Sequence, residues 1–153
     1  MKKIEKASKK KTLMLVLLSI LGIIAIFFTV SFIMARLSPI ATLIVNKGSA
    51  EVLIKDYWTK AKSGMSLKEG NSIKTADDSM ATILFLDSSV MRLDENTEIR
   101  ITNINKSSVS IAQNIGRTWN RLLKISGIKD YEIETPNALA TVRGTAFSVT
   151  VDN

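Results

Sequence analysis

The sequence predicts an all-β outer domain, an antiparallel sandwich or roll with room for one short helix, preceded by a single N-terminal transmembrane helix. Three observations carry this prediction. A charge-free apolar run occupies residues 12 to 35, period-two alternation dominates beyond about residue 45, and turn-forming residues punctuate that second region at short intervals.

The apolar run, TLMLVLLSILGIIAIFFTVSFIMA from Thr12 to Ala35, holds 24 residues. At about 1.5 Å rise per residue it extends about 36 Å, enough to cross a hydrocarbon core of about 30 Å with some tilt. A buried core helix would be shorter and would carry a polar stripe. A cleaved signal peptide has an apolar region of about 7–15 residues and a small-residue exit, whereas this run is longer and leaves through Phe32, Ile33, Met34 and Ala35. A prepilin leader is excluded as well, because Lys11 leads directly into Thr12 without the required Gly and early Glu. Thr12 and Ala35 are therefore read as the ends of an uncleaved anchor.

Charge gives the anchor a direction. The chain has 153 residues and a formal net charge of +7, but residues 1–11 carry Lys2, Lys3, Lys6, Lys9, Lys10 and Lys11 against Glu5. Only Arg36 follows the apolar run closely, and residues 37–153 sum to +1. By the positive-inside rule, residues 1–11 form a basic cytoplasmic tail and the C-terminal domain is extracytoplasmic. The lysines also attract anionic lipid, so the lipid bilayer is one expected partner. A near-neutral outer domain removes the case for nucleic acid. No Cys and no His occur, which excludes disulfides, a lipobox lipid anchor, thiol or imidazole catalysis and the common zinc ligand sets.

Residues 36–44, containing Pro39, read as a connector, and 45–151 as the β domain, with Asp152 and Asn153 as the C-terminal end, whether of a whole chain or of a piece of a longer one. Ile99 and Ile101 alternate with Glu98, Arg100 and Thr102; Val109 and Ile111 alternate with Ser108 and Ser110. Tyr131 and Ile133 oppose Glu132 and Glu134, and Thr145 to Val151 repeats the pattern. Each has the period of a strand with one wet face. Met80 to Leu86, MATILFL, is apolar at nearly every position and predicts a central strand covered on both sides. Turns are expected at Lys47-Gly48-Ser49, Glu69-Gly70-Asn71, Asp77-Asp78, Asp87-Ser88-Ser89, Asp94-Glu95-Asn96 and Asn103-Ile104-Asn105. Ile115, Trp119, Leu122 and Leu123 have the spacing of a short helix face ended by Gly127, and a bulged strand fits nearly as well.

Two stretches, LKEGNSIKTADDSMATILFLDSSVMRLDENTEI from Leu67 and IGRTWNRLLKISGIKDYEIETPNALATVRGTAFSV from Ile115, together resemble the FecR domain family. The resemblance covers about Val45 to Val151, and its most specific part is the closing segment Thr135, Pro136, Ala140, Val142, Arg143, Gly144, Thr145, Phe147. It departs from the family pattern at Ser88, where a glycine is expected. The family's namesake also has a cytoplasmic arm that handles a sigma factor, and residues 1–11 leave no room for one. The resemblance thus implies the outer module: a non-enzymatic binding domain for another envelope or extracellular protein, in signal transduction. The rival is a structural or cell-wall glycan-binding domain, with Tyr57, Trp58, Trp119 and Tyr131 as the aromatics available to sugar.

No catalytic, cofactor-binding or metal residue is assigned. A Ser-Lys hydrolase would draw on Ser38, Ser49, Ser63 or Ser66 with Lys47, Lys55, Lys62 or Lys68, but no Ser-Met-x-Pro motif is present and these read as solvated loop residues. Asp77, Asp78, Asp87, Asp94 and Glu95 lack calcium-loop spacing and read as turn formers. Trp119 reads as core. Thr135, Pro136, Val142, Arg143, Gly144, Thr145 and Phe147 are the candidate binding or structural motif. Within it Arg143 either pairs with Glu132 or Glu134 or contacts a partner, and Gly144 admits a close backbone approach or a bulge.

Overall fold

The computed structural model describes residues 2–37, 39–85, 88–123, 128–142 and 146–152, with the side chains of its helix described over 14–32. The chain divides into two units, Met1–Ser38 and Pro39–Asn153.

The first unit is helix α1, Lys2–Leu37. Its Met14–Phe32 stretch has a mean hydropathy of 2.7, none of it is buried within the protein, and it is long and apolar enough to cross a membrane. The hydroxyls are no obstacle to this. Ser19 Oγ donates to Val16 O at 2.7 Å and Thr29 Oγ1 to Ile26 O at 2.8 Å, which satisfies both groups on the helix itself. The helix also runs through the basic stretch, where Lys, Ala and Glu are good helix formers.

The second unit consists of β1 Ala41–Lys47, β2 Ala50–Ile54, β3 Tyr57–Lys60, β4 Met65–Leu67, β5 Ser72–Thr75, β6 Met80–Phe85, β7 Val90–Leu93, β8 Glu98–Ile104, β9 Ser108–Arg121, β10 Asp130–Thr135, β11 Ala138–Val142 and β12 Ala146–Val151. One sheet has the order β4-β1-β6-β7-β9-β12 and the other β3-β2-β5-β8-β9-β10-β11. Strand β9 belongs to both. Its first half pairs with β8 and β10, and its second half with β7 and β12. The change of sheet falls at Gly116, φ 86°, beside a register shift between Glu98 and Ile99; bulges bend strands in this way. A Cβ at Gly116 would lie 2.5 Å from the Thr97 Cα, so the bend admits only glycine. The β10–β9 pairing is parallel and the other described pairings are antiparallel.

Alternation along the strands builds the core. Ile73, Ile83, Met91, Ile99, Ile111 and Ile133 are all fully buried, and their outward neighbours in sequence are polar or half-exposed.

The structure corrects three expectations. Strand β6 lies inside its sheet between β1 and β7, but only Ala81, Ile83 and Phe85 are buried, whereas Leu84 is 39% exposed. A two-layer sandwich covers one face of each strand, so the apolar outer residue does not report a second covering layer. The helix alternative for Ile115 to Leu123 gives way to the bulged strand: Ile115 to Arg121 continue β9 across the bend at Gly116, and Gly127 lies outside the described residues. Residues 41–44, read as connector, form the start of β1, with Ala41 and Leu43 fully buried.

The expected turns coincide with left-handed backbone at Gly48, Gly70, Asp78, Ser88 and Asn96. The turn expected at Asn103-Ile104-Asn105 falls later in the chain: Asn103 and Ile104 end β8, and the turn runs from Asn105 to Ser108, where Asn105 Oδ1 accepts from the Ser107 and Ser108 amides, both at 2.9 Å. Ser88, at φ 68°, occupies a conformation that suits the glycine it replaces in the family pattern.

Candidate functional site

The closing segment of the domain is built around Tyr131 on β10. Val142 of β11 is its cross-strand partner, and the Phe147 ring of β12 meets its ring edge to face at 6.3 Å. Phe85 packs on Tyr131 in the same manner, at 6.1 Å. Val142 and Phe147, two members of the candidate motif, thus converge on one buried tyrosine, 1% exposed. Thr135 and Pro136 lie at the opposite end of β10. There the Thr135 Oγ1 accepts from the Ala138 amide at 3.0 Å and closes the β10–β11 hairpin. Arg143, Gly144 and Thr145 lie outside the described residues. Glu132 and Glu134, the expected partners of Arg143, alternate with buried Tyr131 and Ile133 and so face outward.

A chain of buried hydrogen bonds that the sequence reading missed runs beneath this segment. Tyr131 Oη donates to Asn120 Oδ1 at 2.9 Å, and Asn120 Nδ2 donates to Thr118 Oγ1 at 3.2 Å. Thr118 Oγ1 donates to Gln113 Oε1 at 2.8 Å, while Gln113 Nε2 donates to the Gly116 and Val149 carbonyls at 2.8 and 3.2 Å. Gln113, Thr118 and Asn120 are each at most 1% exposed. Among the described residues no buried side-chain polar atom lacks a partner, as the low dielectric of a core demands. The chain joins β10, both halves of β9 and the backbone of β12, fixing the last strand against the bend. The period-two placement of Thr118 and Asn120 on the inward face was the available signal, masked by their polarity.

The remaining sequence candidates fall elsewhere. Trp119 is not core: Thr118 and Asn120 point inward, so Trp119 faces outward, half-buried, with the Arg92 guanidinium 5.6 Å from its ring centroid. Of the aromatics available to sugar, Tyr131 is buried, Tyr57 is 77% exposed and Trp58 is 39% exposed beneath Lys74 at 4.2 Å. Tyr57 and Trp58 are adjacent on β3 and point to opposite faces, so they do not form one stacking platform.

Ser63 Oγ accepts from the Val45 amide at 2.9 Å, and Lys47 pairs with Asp78; Ser38 lies outside the described residues. The acidic turn residues are engaged with neighbours. The Asp78 amide donates to Glu95 Oε2 at 2.9 Å, and Asn96 Nδ2 to Asp77 Oδ1 at 3.4 Å. The Asp94 carboxylate receives Arg92 Nε at 3.2 Å and Arg117 Nε at 3.7 Å. Asp87 lies outside the described residues.

Comparison with curated proteins gives no match, and comparison with solved structures gives none. A family model described as FecR protein matches residues 71–153. The matched stretch runs from the turn before β5 through β12, and so contains Tyr131, its hydrogen-bonded chain and the closing segment. Strands β1 to β4 precede the match, yet β1 pairs with β6 and β2 with β5, so they complete the same sandwich. With more than half of its length in that match and the closing strands held as described, the chain belongs to the FecR family.

Proposed function

We propose that this protein is a membrane-anchored, extracytoplasmic FecR domain that binds another envelope or extracellular protein and takes part in signal transduction, without catalysis of its own. The carrying observation is the apolar Met14–Phe32 stretch, none of it buried, followed at Ala41 by the first strand of a FecR-family sandwich. Six lysines before the stretch and Arg36 after it favour a cytoplasmic N-terminus and a single pass.

The test has two parts. Protease added to intact spheroplasts should digest the β domain and spare an N-terminal tag; protection of the domain would overturn the orientation. Crosslinking of the full chain in native membranes, with Arg143→Ala alongside, should capture a specific protein partner that a still-folded variant loses. Capture of none would move the reading to a structural envelope domain. The glycan alternative gains nothing from the separated Tyr57 and Trp58.

A further inference from the structure

The outward face of the sheet that contains β12 carries a basic and aromatic strip that neither the family match nor the proposed binding role accounts for. Arg117, Trp119 and Arg121 occupy alternate positions of β9 and face outward, while Thr118 and Asn120 between them are buried. Arg92, opposite Trp119 on β7, adds a third guanidinium. Asp94, shared by Arg92 and Arg117, is the carboxylate paired with them. The cluster therefore holds two positive charges in excess on a domain whose residues 37–153 total +1. On the other side of Trp119 its cross-strand neighbour is Ser148, and those of Arg121 and Arg117 are Ala146 and Thr150. Small residues thus leave the strip open along its β12 side.

The strip begins at a particular end of the sheet. The register Thr42, Leu84, Val90, Arg121, Ala146 forms one row across it, next to Ala41, where the chain enters the domain. Leu84, 39% exposed, and half-exposed Val90 give that row an apolar component. Helix α1 ends at Leu37, four residues before Ala41, a reach of about 14 Å in extended chain. We propose that this face docks on anionic phospholipid headgroups of the membrane that holds α1, an inference that rests on the anchoring reading above. Arg92, Arg117 and Arg121 meet phosphate oxygens, which guanidinium groups bind bidentately. Trp119 sits at headgroup level, where amphipathic rings concentrate, and Leu84 and Val90 lie against the acyl boundary.

The experiment uses the full chain in lipid nanodiscs, either phosphatidylcholine alone or a mixture rich in phosphatidylglycerol, with bromine on a shallow acyl carbon. The chain has two tryptophans, so Trp58→Phe leaves Trp119 as reporter and Trp119→Phe leaves Trp58 on the far edge of the other sheet. Trp119 should be quenched in the phosphatidylglycerol discs and much less in phosphatidylcholine, with Trp58 unquenched in both. Arg121→Gln, outside the Asp94 cluster, should lower the docking equilibrium about fivefold, as expected for one basic group near an anionic surface. Arg117→Gln should do the same, and Arg121→Lys should retain most of the docking.

Discs that carry the chain while Trp119 stays unquenched, or is quenched equally in both lipids, would overturn the docking and leave the anchor standing. A Trp119 emission shift with soluble polyphosphate but no lipid quenching would assign the face to a soluble anion and also overturn it. A chain that elutes free of the discs would remove the anchor and the docking together.

Discussion

The Tyr131 hydroxyl donates to the Asn120 side-chain oxygen at 2.9 Å inside the core, linking β10 in one sheet to the half of β9 that lies in the other. Both residues are at most 1% exposed, so water cannot replace either partner. Tyr131→Phe keeps the ring contacts with Phe85 and Phe147 but strands the Asn120 carbonyl. The expected loss is about 1–3 kcal/mol, read as a lower urea midpoint with an unchanged slope. A variant as stable as the wild type would show that the bond contributes nothing net.

Gly116 should tolerate no side chain. A Cβ there meets the Thr97 Cα and Oγ1 at 2.5 Å, and its φ is 86°. Gly116→Ala combines a left-handed backbone cost of about 1–2 kcal/mol with overpacking of about 1–3 kcal/mol. Thermal unfolding should register most of that sum, whereas Gly70→Ala, at φ 86° with nothing within 4 Å of the added carbon, should register the backbone part alone.

Ser88 offers a gain. It holds φ 68° in the β6–β7 turn, where its amide donates to Phe85 O at 2.9 Å. Ser88→Gly removes a left-handed penalty of about 1–2 kcal/mol and adds an unfolded-state entropy cost of about 0.5–1 kcal/mol. A net stability gain of up to about 1.5 kcal/mol, read as a raised melting temperature, is expected, and a lowered one would mean that the serine side chain supports the turn.

Phe147 and Leu139 separate packing from exposure in the closing strands. Phe147 packs against the core and contacts the Tyr131 ring, whereas Leu139 on β11 is 63% exposed. Phe147→Ala should cost about 1–3 kcal/mol, below the about 3–5 kcal/mol of a fully buried phenylalanine. Leu139→Ala should stay within about 0.5 kcal/mol of wild type. Equal effects would contradict the seating of β12.

Orientation should follow the lysines. Changing Lys2, Lys3, Lys6, Lys9, Lys10 and Lys11 to Gln, with three lysines added just after Arg36, removes the charge bias and should invert a fraction of the chains. A reporter fused after Asn153 would change its activity accordingly; no change would place the determinant elsewhere.

The sequence alone determined the apolar helix, the β class of the domain, its turns and its family, because each rests on local patterns: a long uncharged run, period two, left-handed turn positions and a short closing motif. It did not determine which strands are neighbours. MATILFL reads the same whether one face or both are covered, and the spacing of Ile115 and Trp119 suits a helix face and a strand face alike. Only the tertiary structure decided these, since pairing depends on residues far apart in the chain, such as Gly116 against Thr97. The same holds for the polar residues. Gln113, Thr118 and Asn120 look solvent-facing in a list of residue types and become core once β9 bends from one sheet into the other, because there each finds a hydrogen-bond partner that water would otherwise supply. Conversely, Trp119 reads as core by size and is placed outside by parity, one residue from buried Thr118 and Asn120 on a strand whose register the bend sets.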